Sequence, residues 1–307
     1  KALEIFLKMN ALVPDNIEVL YNLALTREAR QEISDAIFLL ERILGLQPEY
    51  TPALAKLSDI YLNNNEPDKA LALVRNQLDK APGVAGNRLL VGELLYRRGM
   101  LAEARDIFVQ VQAQAPENPQ SYLMLATIEK ESGRLDKAIA EYKDLLGRQP
   151  GSPSTLMGLA VLLEQAGAIT EAKDIYHQLL ELEPQFAPAA NNLAWLITRE
   201  ADPDLGEALR LAQIAKDSQP RNPYIIDTLG YVFYLRRSYD LATTQFRDAL
   251  SLLPHIATVR FHLALSLKAQ GADGEALTEL RKCIEQAADF PERKEAERLL
   301  QSWQVAS

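Results

Sequence analysis

PQSYLMLATIEKESGRLDKAIAEYKDLLGRQPGS, residues 119–152, holds two apolar stripes of helical spacing with a short break between them. Tyr122, Leu125, Ala126 and Glu129 stand at i, i+3, i+4 and i+7, and Ala138, Tyr142 and Leu145 at i, i+4 and i+7. That spacing predicts two helices. The break is SGRLD, residues 132–136. Its Gly133 suits the left-handed conformation that ends a helix, and Asp136 is expected to cap the next one. Pro119 sits where a first helical turn tolerates proline. Pro150 stops the second helix, because the residue before a proline is pushed out of the helical region. The stretch therefore reads as one helical hairpin.

The same hairpin recurs along the chain. Pro14, Pro48, Pro82, Pro116, Pro150 and Pro184 are 34 residues apart, Pro220 follows after 36, and Pro254 after 34. Ala2, Ala36, Ala70, Ala104, Ala138, Ala172, Ala208, Ala242 and Ala276 keep the same register. So does a leucine or valine followed by a small residue, as in Leu23-Ala24, Val91-Gly92, Leu159-Ala160 and Leu229-Gly230. The small residues let paired helices approach closely. Gly99, Gly167 and Gly271 fill the slot of Gly133, and Ser34, Asp68, Thr170 and Asp240 fill the slot of Asp136.

The unit resembles the tetratricopeptide repeat, whose pattern runs W-x2-L-G-x2-Y, A-x3-F, P. Ala138 to Tyr142 and Ala104 to Phe108 match the A-x3-aromatic step, and Leu229-Gly230 and Val91-Gly92 match the L-G step. The tryptophan place is filled by Leu, Tyr, Ile or Ala, and once by Arg88. The resemblance implies an all-α fold: an α-solenoid, a right-handed superhelix of helical hairpins closed by a C-terminal capping helix. Eight units are expected over 17–290, at 17–50, 51–84, 85–118, 119–152, 153–186, 187–222, 223–256 and 257–290. Residues 1–16 read as the second helix of a truncated repeat, with Ala2 and Phe6 in its core places, so the amino end is expected to be cut from a longer array. Residues 291–307 read as a capping helix and native tail, with Ala296, Leu299, Leu300 and Trp303 on one stripe.

Composition narrows the function. The 33 basic and 42 acidic residues leave a net charge of −9, which argues against nucleic acid as partner, since phosphate contact needs clustered Lys and Arg. No stretch approaches the roughly 18–20 apolar residues of a membrane span. Cys283 is the only cysteine, so no intrachain disulfide forms. That suits a reducing compartment and equally a bacterial periplasm.

The residues do not assemble a catalytic constellation, a metal site or a cofactor site. His177, His255 and His262 are scattered without metal-like partners at helical spacing. Cys283 falls in a second-helix core place and reads as a small buried apolar residue. Gly83 and Gly86 read as a loosened linker rather than a phosphate loop. Unit 187–222 is two residues longer than the others, within ITREADPDLGEA. Asp202 and Asp204 do not complete a calcium loop, so a longer turn with an aspartate cap is the expected structure.

What remains is a binding surface. The resemblance implies a concave face lined by first helices. In unit 223–256, Ile226, Leu229, Gly230 and Phe233 form the core stripe. Tyr224, Asp227, Tyr231 and Tyr234 form a second stripe, roughly 130° around the helix at about 100° per residue. Its equivalents are Asn191, Trp195 and Thr198 in the unit before, and Phe261, Leu265 and Lys268 in the unit after. Aromatic side chains of this kind dominate binding hot spots, so this stripe is the expected groove for a protein or peptide segment. A seam where neighbouring first helices pack is the competing reading. Tyr21 and Leu25 lack the Lys and Asn pattern of chaperone-docking members.

The phrases NNLAWL, DTLGYVFY and ADFPERKEAERLL also resemble the tail of bacterial envelope-associated repeat proteins, among them those encoded with exopolysaccharide and protein-sorting systems. That resemblance implies a periplasmic or envelope site and makes a polysaccharide the alternative partner. A regulatory array of a larger enzyme is a further alternative.

Overall fold

The computed structural model describes residues 2–287 and 289–305. Lys1 at the expected cut end, Ala288 in the closing phrase and the tail residues 306–307 lie outside the described residues. Eighteen helices are present among the described residues, and no strand. They form two compact units, Lys1–Pro150 and Gly151–Ser307.

The first unit runs α1 (Ala2–Leu12), α2 (Ile17–Ala29), α3 (Ile33–Leu46), α4 (Thr51–Asn63), α5 (Pro67–Lys80), α6 (Ala85–Arg97), α7 (Leu101–Gln114), α8 (Pro119–Glu131) and α9 (Leu135–Arg148). Each even-numbered helix pairs with the next, and the apolar stripes of successive pairs merge into one core of Leu20, Leu40, Leu54, Leu57, Leu95 and Phe108. Phe6 packs against this core, but Ala2, expected in a core place, is exposed. Glu129 is a charged member of the interior, 2% exposed. Burial pushes its carboxyl up. The hydrogen bonds from Arg134 and Arg105, the latter 2.8 Å long, more than offset this and hold it below the usual carboxylate range.

The second unit runs α10 (Pro153–Gln165), α11 (Ile169–Leu182), α12 (Ala187–Thr198), α13 (Leu205–Ser218), α14 (Pro223–Leu235), α15 (Tyr239–Leu252), α16 (Ala257–Ala269), α17 (Asp273–Gln286) and α18 (Arg293–Val305). Its first helices α12, α14 and α16 lie side by side. α18 closes the unit: Ala296 is fully buried, and Leu299, Leu300 and Trp303 pack over Phe261, Leu280 and Cys283.

Helix ends follow the punctuation in the sequence. In both units the repeat proline falls two residues past the second helix, as Pro82 does after Lys80 and Pro220 after Ser218. Asn16, Asn118, Ser152 and Asn222 cap first helices by accepting a hydrogen bond from a backbone N–H of the first turn. The second helices depart from expectation. Asp136, Ser34, Asp68, Thr170 and Asp240 are not caps. The turn is too tight: only one residue separates the left-handed position from the helix. The expected cap therefore falls on the second helical residue, where the three aspartates meet the positive end of the helix dipole. Gly86 is likewise no linker; it lies inside α6, where an added Cβ would come within 3.0 Å of Thr51.

Three residues join the helices of every complete hairpin but one, and each such turn has a left-handed residue: Gln31, Asn65, Gly99, Gly133, Gly167, Arg237 and Gly271. The exception joins α12 to α13 by six residues, 199–204, none with positive φ. Ala201 stands where the left-handed residue would fall, and the six-residue turn does without one. The longer turn replaces the sharp reversal, and Asp204 restarts the helix by accepting from the N–H groups of Gly206 and Glu207 at 2.9 and 3.0 Å.

Candidate functional site

The aromatic stripe expected over 191–234 becomes a cluster inside the second unit. Its rings come from the neighbouring first helices α12, α14 and α16 and from α15, which the repeat brings together. Trp195 on α12 meets Tyr231 on α14 at 5.4 Å between ring centroids, tilted by 51°. Tyr231 stacks on Tyr234, one turn along, at 5.9 Å and 26°. Tyr234 reaches Tyr239 of α15 at 5.8 Å. Beneath them lies His262 of α16, 4.6 Å from Tyr231 and 6.1 Å from Trp195. His262 is buried, and its Nδ1 is 2.8 Å from Asp227 Oδ1. Burial pushes the Tyr231 and Tyr234 hydroxyls above the usual phenol range.

The expected groove residues divide. Trp195, Tyr231 and Tyr234 are half-buried and gathered. Tyr224 is exposed at the start of α14, away from the ring cluster. Asn191 is half-buried; its Nδ2 donates to Asn192 Oδ1 at 3.3 Å, and its own Oδ1 is buried without a hydrogen-bond partner. Asn192 continues inward to Tyr176 and Glu164. Thr198, Asp227 and Phe261 are 7%, 8% and 4% exposed, and these three do not line an open groove. Thr198 donates to the Trp195 carbonyl at 2.7 Å, Asp227 is engaged with His262, and Phe261 packs with Leu280 and Cys283. Asp227 is covered by His262 of the next first helix, and Phe261 by α17 and α18.

Beside Trp195 the surface opens into a cavity of about 440 Å³, lined by Ile169, Trp195, Leu196 and Pro291, with Arg199, Glu200 and Glu292 as its charged groups. The Arg199 guanidinium carbon stands 5.6 Å from the Trp195 ring centroid, within cation–π range. Pro291 and Glu292 arrive from the segment before α18, where Phe290 is buried and Glu292 accepts from Thr258 at 3.0 Å. The closing segment thus supplies one wall of the cavity.

Sequence reasoning missed His262, Arg199, Pro291 and Glu292. His262 lies one residue past the column of Asn191, Asp227 and Phe261, so column matching passes over it. Pro291 is 96 residues from Trp195, a separation no repeat register encodes. The long turn was the one available signal, since it carries Arg199. Elsewhere, Cys283 is fully buried, and burial pushes its thiol up to about 12. The folded protein is therefore expected to resist iodoacetamide at pH 8 while the unfolded chain is alkylated, as intact mass before and after denaturation would show. No group of three or more His, Cys, Asp or Glu able to hold a metal occurs among the described residues. No helix among them is long and apolar enough to cross a membrane.

A family profile described as Tetratricopeptide repeat matches residues 27–90, 64–128, 95–154 and 129–196, which together run over more than half of the chain. No curated protein matches the sequence. Among solved structures, a chain of the APC/C hetero-tetramer Cut9-Hcn1 is similar over 98% of this chain and 58% of its own, with 21% identity and a TM-score of 0.57. This chain thus spans little more than half the length of that relative. A tetratricopeptide repeat protein from Parabacteroides merdae ATCC 43184 is similar over 83% of this chain and 98% of its own, with 16% identity and a TM-score of 0.56. The C-terminal part of a repeat-containing protein from Cytophaga hutchinsonii is similar over 65% of this chain and 79% of its own, at 18% identity and a TM-score of 0.52. At these identities the likeness is one of fold.

Proposed function

We propose, from the premise that this chain belongs to the tetratricopeptide repeat family, that it is a non-enzymatic scaffold holding a segment of a partner protein against the Trp195–Tyr231–Tyr234 cluster. Hairpin arrays present extended surfaces made of many similar helices, and affinity concentrates where aromatic side chains sit beside a pocket. The observation that carries the reading is the apolar cavity of about 440 Å³ next to Trp195. It has room for one or two side chains of a bound segment, and the half-buried indole offers them an apolar wall.

A polysaccharide is the weaker occupant. Stacking a sugar needs an open ring face, and here both rings are half-buried, with Tyr231 5.4 Å from Trp195 and the Arg199 guanidinium over the indole. The test is capture from cell-envelope and soluble extracts by the chain and by its Trp195→Ala, Tyr231→Ala double variant, followed by titration of each identified partner. We expect one partner's affinity to fall by about tenfold or more, with the far-ultraviolet helix signal retained. A variant that melts far lower assigns the rings to the packing seam. A variant that stays folded and keeps every partner removes the groove. Glycan polymers that shift Trp195 emission would favour the polysaccharide instead.

A further inference from the structure

We infer that the cavity beside Trp195 selects a partner segment in which an apolar side chain is followed by acidic side chains, with Arg199 receiving the carboxylate. This rests on the reading of the aromatic cluster as a peptide site and adds the chemistry of the peptide. The walls Ile169, Leu196, Trp195 and Pro291 take the apolar group. Arg199 stands at the rim, exposed, with its guanidinium over the Trp195 ring and no carboxylate partner among the described residues. The acidic groups around it are mostly engaged. Glu200 pairs with Lys173, Glu292 accepts from Thr258, Asp204 accepts from the amides of Gly206 and Glu207, and Asp227 is buried against His262. Asp202 is exposed in the same turn, as are Glu200 and Asp204.

Two more arginines stand on the next hairpin turn of the unit. Arg236 donates to the carbonyl of Leu205, the first residue after the turn that carries Arg199, over 3.2 Å. Arg237 follows it, exposed, and neither has an ion-pair partner among the described residues. Three guanidinium groups on two successive turns match a run of acidic side chains better than one terminal carboxylate. A terminal carboxylate would also have to enter whole between Glu200 and Glu292. The net charge of −9 gives no general attraction for acidic segments, so any preference for them must come from this rim.

The test uses the whole chain and three probe peptides. The first is acetyl-Ser-Leu-Glu-Glu-Ser-amide, the second its Gln-Gln counterpart, and the third acetyl-Ser-Gly-Ser-Leu with a free carboxylate. Binding is read from the indole N–H signal of Trp195, with the Trp303 signal as internal control. We expect the Glu-Glu peptide to bind roughly three- to tenfold tighter than the Gln-Gln peptide. We expect the difference to vanish in Arg199→Gln and to shrink in 0.5 M salt, where screening is nearly complete beyond about 4 Å. Arg199 is exposed, so this substitution leaves the fold intact. Equal binding of the Glu-Glu and Gln-Gln peptides overturns the carboxylate inference and leaves the aromatic peptide site standing. Tightest binding by the free-carboxylate peptide overturns the choice of internal acidic residues. If no peptide moves the Trp195 signal at several millimolar, the peptide site itself falls.

Discussion

Gly230→Ala lowers the stability of the second unit by about 2 kcal/mol. A Cβ at residue 230 would lie 2.6 Å from Cε1 and 2.8 Å from Cδ1 of Phe246, and 3.1 Å from Cβ of Gln245. Phe246 is fully buried and packed among Ile226, Ala249 and Leu263, so its ring has nowhere to retreat. The two helices must separate instead, and α14 and α15 form the hairpin that carries Tyr231, Tyr234 and Tyr239. Alanine recovers up to about 1 kcal/mol of helix propensity, which offsets part of the overpacking. Gly274→Ala in the same unit is the control, since nothing lies within 4 Å of its added Cβ. It is expected to be neutral or slightly stabilising. Urea unfolding followed by tryptophan emission separates the two. A Gly230→Ala midpoint equal to that of Gly274→Ala would mean that the close helix approach contributes nothing.

Asp227→Ala is expected to cost about 2–3 kcal/mol, and Asp227→Asn less than half of that. Asp227 and His262 are both buried and 2.8 Å apart, and His262 sits against Tyr231, Trp195, Phe246 and Phe261. Removing the carboxylate leaves a buried ring nitrogen without a partner and a void beneath the aromatic layer. Asparagine keeps an acceptor oxygen in the same place. Because His262 supports the rings from below, the alanine variant should also shift Trp195 emission before any unfolding, and the asparagine variant should not. An alanine variant as stable as the parent, with unchanged emission, would show that the pair does not position the cluster.

Legibility in the sequence tracks periodicity. The hairpins, their prolines and the close approach at Leu229-Gly230 were readable because each is repeated, and a column of many copies averages out local accident. The stripe of Trp195, Tyr231 and Tyr234 was readable for the same reason. Helical angle alone could not tell that Thr198, Asp227 and Phe261 turn inward, because a position some 130° from the core stripe sits on the boundary between seam and groove. The caps of the second helices were misplaced by two residues, since the turn length there depends on a left-handed residue rather than on the capping side chain. Arg199, Pro291, Glu292 and His262 were not readable as a group. What unites them is proximity across helices, and the repeat register encodes only equivalence between them.

The turn at 199–204 also bears on how the molecule can be altered. Elsewhere each complete hairpin reverses through one left-handed residue, so its length and the identity of that residue are tightly tied. Here every residue keeps ordinary backbone angles, and Asp204 restarts α13 independently of what precedes it. This joint can therefore accept extra residues or an inserted peptide tag after Ala201 while both helices keep their packing. It stands at the rim of the cavity beside Trp195, so variation in its length reshapes the mouth of that cavity at almost no cost to how the chain folds. Among the hairpin joints, length can vary most freely at this one.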